Sequence, residues 1–198
     1  MTDNHEQPRP GEDHERQREQ QYHPRIWIAS LADYNAGVLH GEWIDATQDP
    51  EDLHAAADRL LATSREPAAE EYAIFDYDEF GSYRVQEHDL LEDVSLIARG
   101  IAEHGDVFAV WAELHDGDPA MMASFDDAYL GTYDSAEQWA EQLLDDEGIT
   151  ALIDKAVPED IRPYVSINYE AWARDAQLSG SIHIEDLPDG RVVIFDVT

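Results

Sequence analysis

The sequence has no cysteine, and only one of its twelve basic residues, Lys155, is a lysine. The absence of cysteine excludes disulfides, thiolate metal sites and thiol nucleophiles. No apolar run approaches the ~20 residues of a membrane span. The first residues hold no apolar signal core, so the expectation is a soluble, cytoplasmic protein. There is no H-E-x-x-H, no P-loop, no G-x-G-x-x-G and no G-x-S-x-G, and the nine His residues make no zinc spacing. No catalytic residue, no metal site and no cofactor are therefore expected.

Between Gly100 and Asp154 there is neither Lys nor Arg. Fourteen acidic residues stand there instead: Glu103, Asp106, Glu113, Asp116, Asp118, Asp126, Asp127, Asp134, Glu137, Glu141, Asp145, Asp146, Glu147 and Asp154. Trp111, Phe125, Tyr129 and Tyr133 are interleaved with them, which marks folded structure rather than a solvated acidic tail. The whole chain of 198 residues has a net charge of −33 with 43% apolar residues. From Pro24 onward, 39 Asp and Glu stand against 9 Lys and Arg, so that part carries −30 of the −33. Self-repulsion of this size destabilises a compact chain. Nucleic acid and anionic membranes need the opposite sign, so the expected partner is basic. With 45 acidic residues, proximity of two carboxylates says nothing about glycoside or phosphoryl chemistry.

Along the chain, residues 1–23 are polar, lack an apolar period and read as a disordered, dispensable extension. Arg25 to Ser30 reads as a strand, and Gly41 to Asp45 as a second strand antiparallel to it. Asn35 and Gly37 mark a turn between them. A helix begins with Asp49 as N-cap and Pro50 at its first position, and buries Leu53, Ala56, Ala57, Leu60 and Leu61. A third strand covers Glu71 to Phe75. From Asp89 the spacing turns helical, with Leu90, Leu91, Val94, Ile97, Ala98 and Ile101 on one face and a stop at Gly105. A further helix follows with Asp106 as cap, and a short one near Ser124 to Leu130. Asp134 with Glu137 predicts the cap of a helix that ends near Gly148 and buries Trp139, Leu143 and Leu144. Pro158 and Pro163 bracket a short turn, Asn168 to Gln177 is helical, and a hairpin turning at Leu187 to Gly190 ends the chain. No internal repeat is present. The five Trp residues lie on apolar faces and read as core.

Asp76, Asp78, Gly81 and Glu87 fall at positions 1, 3, 6 and 12 of a calcium loop. Phe80 occupies the fifth ligand position, and a strand precedes the loop, so a plain turn is the preferred reading. A calcium-dependent module and an acidic, halophile-type soluble domain with an unrecognised enzymatic role are the alternatives to a binding inhibitor.

Several stretches together resemble one family, the antirestriction proteins called ArdA. They are Arg25 to Gly37, Gly41-Glu42-Trp43, Glu71 to Tyr77, Phe125 to Gly131, Val157-Pro158, Asn168 to Asp175 and Leu178-Ser179-Gly180. No single stretch decides the matter; the set in this order carries the resemblance. The resemblance implies an α+β fold of three small domains in a line (24–88, 89–131 and 132–198), the last making the twofold contact of an elongated acidic homodimer. It also implies a non-enzymatic DNA mimic, carried on mobile genetic elements, that occupies the DNA groove of type I restriction–modification enzymes at their methyltransferase core. On that reading the fourteen carboxylates replace phosphates. They carry no base code, so recognition acts on groove shape and charge.

Overall fold

Alternation along Arg25–Ser30 sets up the first sheet. Ile26 and Ile28 are fully buried, while Trp27 points to the other side, as the two-residue period of a strand requires. In the computed structural model, which describes residues 22–67 and 69–198, this strand (β1) is central. Gly41–Asp45 (β2) and Tyr72–Asp78 (β3) flank it, both antiparallel, in the order β2-β1-β3. The expectation for residues 1–21 lies outside the described residues. Tyr22, the first described residue, donates its hydroxyl to Asp106 Oδ2 at 3.0 Å.

Two elements in this region depart from expectation. A five-residue helix, Leu31–Asn35 (α1), stands where a turn was predicted, because Ser30 caps it by accepting from the Asp33 amide at 3.3 Å. The third strand runs on through Asp78, where Arg25 Nη2 pairs with Asp78 Oδ2 at 2.7 Å. The first two carboxylates of the calcium-loop pattern thus lie on a strand. Among the described residues no group of three or more His, Cys, Asp or Glu is placed to hold a metal ion.

Helix Pro50–Ala62 (α2) buries Leu53, Ala56, Ala57 and Leu60 as its spacing dictates, with Leu61 half-buried. Asp49 sits at its N-cap but makes no side-chain cap bond; its carboxylate meets Arg99 Nη1 at 3.0 Å instead. That ion pair and the Ser95 hydroxyl donating to the Gln48 carbonyl at 2.7 Å fasten helix Leu91–His104 (α3) to the loop before α2. The stripe Leu91, Val94, Ile97, Ala98 and Ile101 is fully buried, but Leu90, expected on the same face, is the N-cap residue and is 63% exposed. Asp106–Leu114 (α4) buries every residue from Val107 to Ala112, which a helix does only at the centre of a packed layer. The residue capping α4 is Gly105, at φ 67°, and not Asp106. Only glycine reaches that conformation without strain, so it both ends α3 and starts α4. Pro119–Met122 (α5) follows, capped by Asp118, which accepts from the Ala120 and Met121 amides.

The described chain divides into two compact units, the first ending at Ala123 and the second covering Ser124–Thr198. In the second unit the helix expected to reach Leu130 is only Phe125–Ala128 (α6). The chain then forms a strand, Tyr129–Tyr133 (β4), because this backbone pairs with the far C-terminus. The terminal hairpin is as expected, Ile182–Asp186 (β5) against Val192–Asp196 (β6), in the order β4-β6-β5. The central strand β6 is buried from Val192 to Phe195. Phe195 meets Phe125 at 6.2 Å and Tyr129 at 6.1 Å between ring centroids. Val192 and Ile194 pack with Trp139, Ala140 and Ala173.

Two helices supply that second packing: Ala136–Asp146 (α7) and Tyr169–Ser179 (α9). The cap of α7 is Ser135, one residue later than predicted. Its hydroxyl accepts from the Gln138 amide at 3.1 Å, and Gln138 Oε1 accepts from the Asp134 amide at 2.8 Å. Gln138 therefore takes the N3 position in place of Glu137, and its side chain reaches back to the amide preceding the Ser135 cap. Between α7 and α9 lies Ile149–Ala156 (α8), which the sequence reading did not contain, and which buries none of its residues. A turn at residues 159–161 lies between the two prolines as expected, and a short 3-10 turn, Arg162–Tyr164, follows with Pro163 inside it.

The core reading holds for Trp111 and Trp139, at 1% and 3% exposure. It fails for Trp43, which is 40% exposed and meets Trp27 edge to face, 5.8 Å between centroids, on the outer face of the first sheet. The strand alternation puts that face toward solvent. Among the described residues no helix is long and apolar enough to cross a membrane.

Candidate functional site

The fourteen carboxylates separate into two groups once their surroundings are known. Five belong to the first unit: Glu103 on α3, Asp106 and Glu113 on α4, Asp116 just after it, and Asp118 at the cap of α5. Three of these have structural partners. Asp106 accepts from Tyr22, Asp118 caps α5, and Glu113 accepts from the Arg84 amide at 3.2 Å and pairs with its guanidinium at 3.4 Å. Asp106 and Glu113 are half-buried; the other twelve of the fourteen are exposed.

Nine lie in the second unit, four of them on α7. Glu137, Glu141 and Asp145 recur every fourth residue, which puts them along one exposed edge with a rise of ~6 Å between neighbours. Asp146 and Glu147 crowd the same C-terminal end, with Asp134 at the other end, Asp126 and Asp127 on α6 and Asp154 on α8. Each like-charge pair four residues apart costs a helix ~0.2–0.5 kcal/mol. Acids at a helix C-terminus also oppose its dipole. The helix stands because Trp139, Ala140 and Leu144 are buried on its other face. Among the described residues Glu113 is the only one of the fourteen with a Lys or Arg in ion-pair contact. Of the other thirteen, all but the half-buried Asp106 are exposed to solvent.

That charge is felt inside the fold. Burial pushes the Tyr83 phenol up to about 12, and Asp89, Asp93, Glu113 and Asp116 push in the same direction. Burial raises Asp93 as well, helped by Glu92, Asp89 and Asp118. In the second unit the Tyr133 phenol is raised by burial, then by Tyr129 and Asp146.

One feature was not legible beforehand. A cavity of about 600 Å³ opens beside α7 and α9, lined by Tyr133, Trp139 and Trp172 with Asp146, Glu147 and Asp175 at its wall. Trp139 and Trp172 face each other at 5.4 Å between centroids. Read along the chain, both were simply core aromatics, and only the helix pairing makes a recess of them.

The family model described as antirestriction protein (ArdA) matches residues 26–186, from the first residues of β1 to the end of β5. Among curated proteins none matches the chain. The matched span takes in five of the six strands and all fourteen carboxylates, and on that coverage the chain belongs to the ArdA antirestriction family.

Proposed function

We propose that this protein protects DNA from restriction as a DNA mimic, seating its carboxylates in the basic DNA groove of a type I restriction–modification enzyme at the methyltransferase core. One observation carries the reading: eleven of the fourteen carboxylates between Gly100 and Asp154 serve no hydrogen bond or Lys/Arg ion pair among the described residues, and stand out from packed helices. A chain that keeps such repulsion within a fold has a use for it. Duplex DNA presents one charge per ~1.7 Å of axis, and proteins grip it chiefly through Lys and Arg. A rigid array of carboxylates answers the same cations. The reaction is competition and not catalysis, and it takes place in the cytoplasm, where the restriction enzyme meets incoming DNA.

The same reading carries the homodimer and the three domains in a line. The change from sheet to helices near residue 89 and the second sheet near the C-terminus favour the three-part division. Two acidic copies associate only through a surface of another kind. The second unit has one, since α8 buries nothing and Leu152, Ile161, Tyr164 and Val165 are exposed apolar side chains. A twofold contact there must be self-complementary. Sedimentation at micromolar concentration should give a dimer that Leu152→Glu with Tyr164→Ser converts to monomer.

The direct test uses purified protein, a type I enzyme and DNA bearing its site. Cleavage and methylation should both fall as the protein is added and recover as DNA is raised. Undiminished cleavage at a large molar excess of the protein sinks the proposal.

A further inference from the structure

The cavity beside α7 and α9 is more than a gap between helices. Its lining brings the aromatic rings of Tyr133, Trp139 and Trp172 together with the carboxylates of Asp146, Glu147 and Asp175, among aliphatic side chains. Among the described residues neither Asp146 nor Glu147 has a cation in ion-pair contact, and no Lys or Arg lines the cavity. Asp175 has only the exposed Arg174 beside it, at 3.2 Å. Burial first, and then Tyr129 and Asp146, raise the Tyr133 phenol on the cavity wall above its ordinary value. Indole and phenol faces attract cations, most strongly when the cation is desolvated. Carboxylates add charge-assisted hydrogen bonds. The volume, about 600 Å³, lies within the range of ordinary ligand pockets.

The first unit already shows what such a surface binds. On the outer face of the first sheet the Arg25 guanidinium lies 4.9 Å over the Trp43 ring while pairing with Asp78 at 2.7 Å. A planar guanidinium can stack on an indole and fork onto a carboxylate at once, which an ammonium cannot.

Resting on the DNA-mimic reading, we propose that this cavity receives an arginine side chain of the basic partner, stacked against Trp172 and paired with Asp146 or Asp175. The distributed carboxylates would then draw the groove in, and the cavity would fix the register.

The test has two arms. In the first, the full chain is titrated with acetyl-arginine amide and with its neutral isostere acetyl-citrulline amide, while the indole N–H resonances of the five tryptophans are followed. Saturable shifts confined to Trp139 and Trp172, with the citrulline compound about tenfold weaker, support the proposal. Equal binding of both compounds, or no saturable shift, overturns it. In the second arm, Trp172→Leu and Asp175→Asn are compared with the unmodified protein against a type I enzyme, their folding checked by near-ultraviolet circular dichroism. Trp172→Leu should weaken inhibition about tenfold and Asp175→Asn about threefold. Unchanged inhibition by both variants overturns the proposal. So does conversion of either variant to a monomer, which would assign the cavity to a second copy of the chain. If the unmodified protein does not inhibit at all, the DNA-mimic reading falls, and the titration alone decides whether the cavity takes a guanidinium.

Discussion

Ser64, just beyond the end of α2, donates its hydroxyl to Asp33 Oδ2 at 2.5 Å, and so ties α2 to the short helix that follows β1. Asp33 is fully buried and also accepts from the Arg65 amide at 3.3 Å. The Ser64 bond holds its carboxyl below the ordinary 3.8; burial opposes, and Ser30 and the Arg65 amide reinforce. A depressed carboxyl contributes stability that is present above its unfolded pKa and is lost as pH falls through its folded one. Asp33→Asn should therefore lower the melting temperature at pH 7, and the difference from the unmodified protein should shrink below pH 3.8. Thermal melts of the two proteins from neutral to acid pH measure it. A difference independent of pH would show that packing, and not charge, matters at this residue.

What the sequence disclosed follows the reach of its signals. The β1–β2 pair, the start of α2 at Pro50, the stripe of α3 and the terminal hairpin are written in adjacent residues, and each was legible. Strand β4 was not. Phe125 to Leu130 has a helical look, and Tyr129–Tyr133 becomes a strand only because Val192 to Phe195 lies alongside it. Helix α8 was missed although Ile149, Leu152, Ile153 and Ala156 stand at helical spacing; the stripe is only eight residues long, and none of it is buried. The carboxylates could be counted from the sequence, but not sorted. That Asp118 caps a helix and Asp106 holds Tyr22 depends on contacts that spacing does not encode.

Gly100 on α3 faces the ring of Phe108 on α4, and a β-carbon at Gly100 would overlap that ring. Phe108 is buried, at 5% exposure, and has little room to yield. Overpacking costs ~1–3 kcal/mol, against about 1 kcal/mol gained by replacing glycine with alanine inside a helix. Gly100→Ala should thus be destabilising on balance, by up to about 2 kcal/mol in urea unfolding. Combined with Phe108→Leu it should cost less than the two changes summed, because the smaller side chain removes the overlap. Strict additivity would show that α3 and α4 adjust independently.

Tyr83 should govern alkaline stability in the first unit. Its folded pKa of about 12 lies above the ordinary 10.0. A raised pKa means the folded state holds the proton more tightly, so the stabilisation is complete below pH 10 and is lost as pH climbs towards 12. Tyr72 and Tyr133 are raised in the same direction and contribute alongside it. Tyr83→Phe should leave a shallower fall in melting temperature over that interval than the unmodified protein shows. Phenolate absorbance followed with the unfolding signal checks it. Parallel curves would mean that ionisation of Tyr83 does not drive the loss.

Inhibition should come from charge spread over many positions. Each exposed carboxylate meets its cation at partly solvated distance, and such pairs contribute ~0.2–1 kcal/mol apiece. Asp126→Asn or Glu141→Gln alone should weaken inhibition by no more than about fivefold. Neutralising Glu137, Glu141 and Asp145 together, which strips one edge of α7, should weaken it cumulatively. Asp118→Asn belongs to a different class, since it caps α5, and it should cost stability as well as binding. Added salt should weaken the complex while stabilising the free protein, because screening relieves the repulsion among its own carboxylates. Competition against DNA for a type I methyltransferase, scored across the series with melting temperatures in parallel, separates this from a catalytic account. Catalysis requires one carboxylate whose loss abolishes activity while the others are silent. A single substitution that ended inhibition in a folded dimer would contradict distributed mimicry.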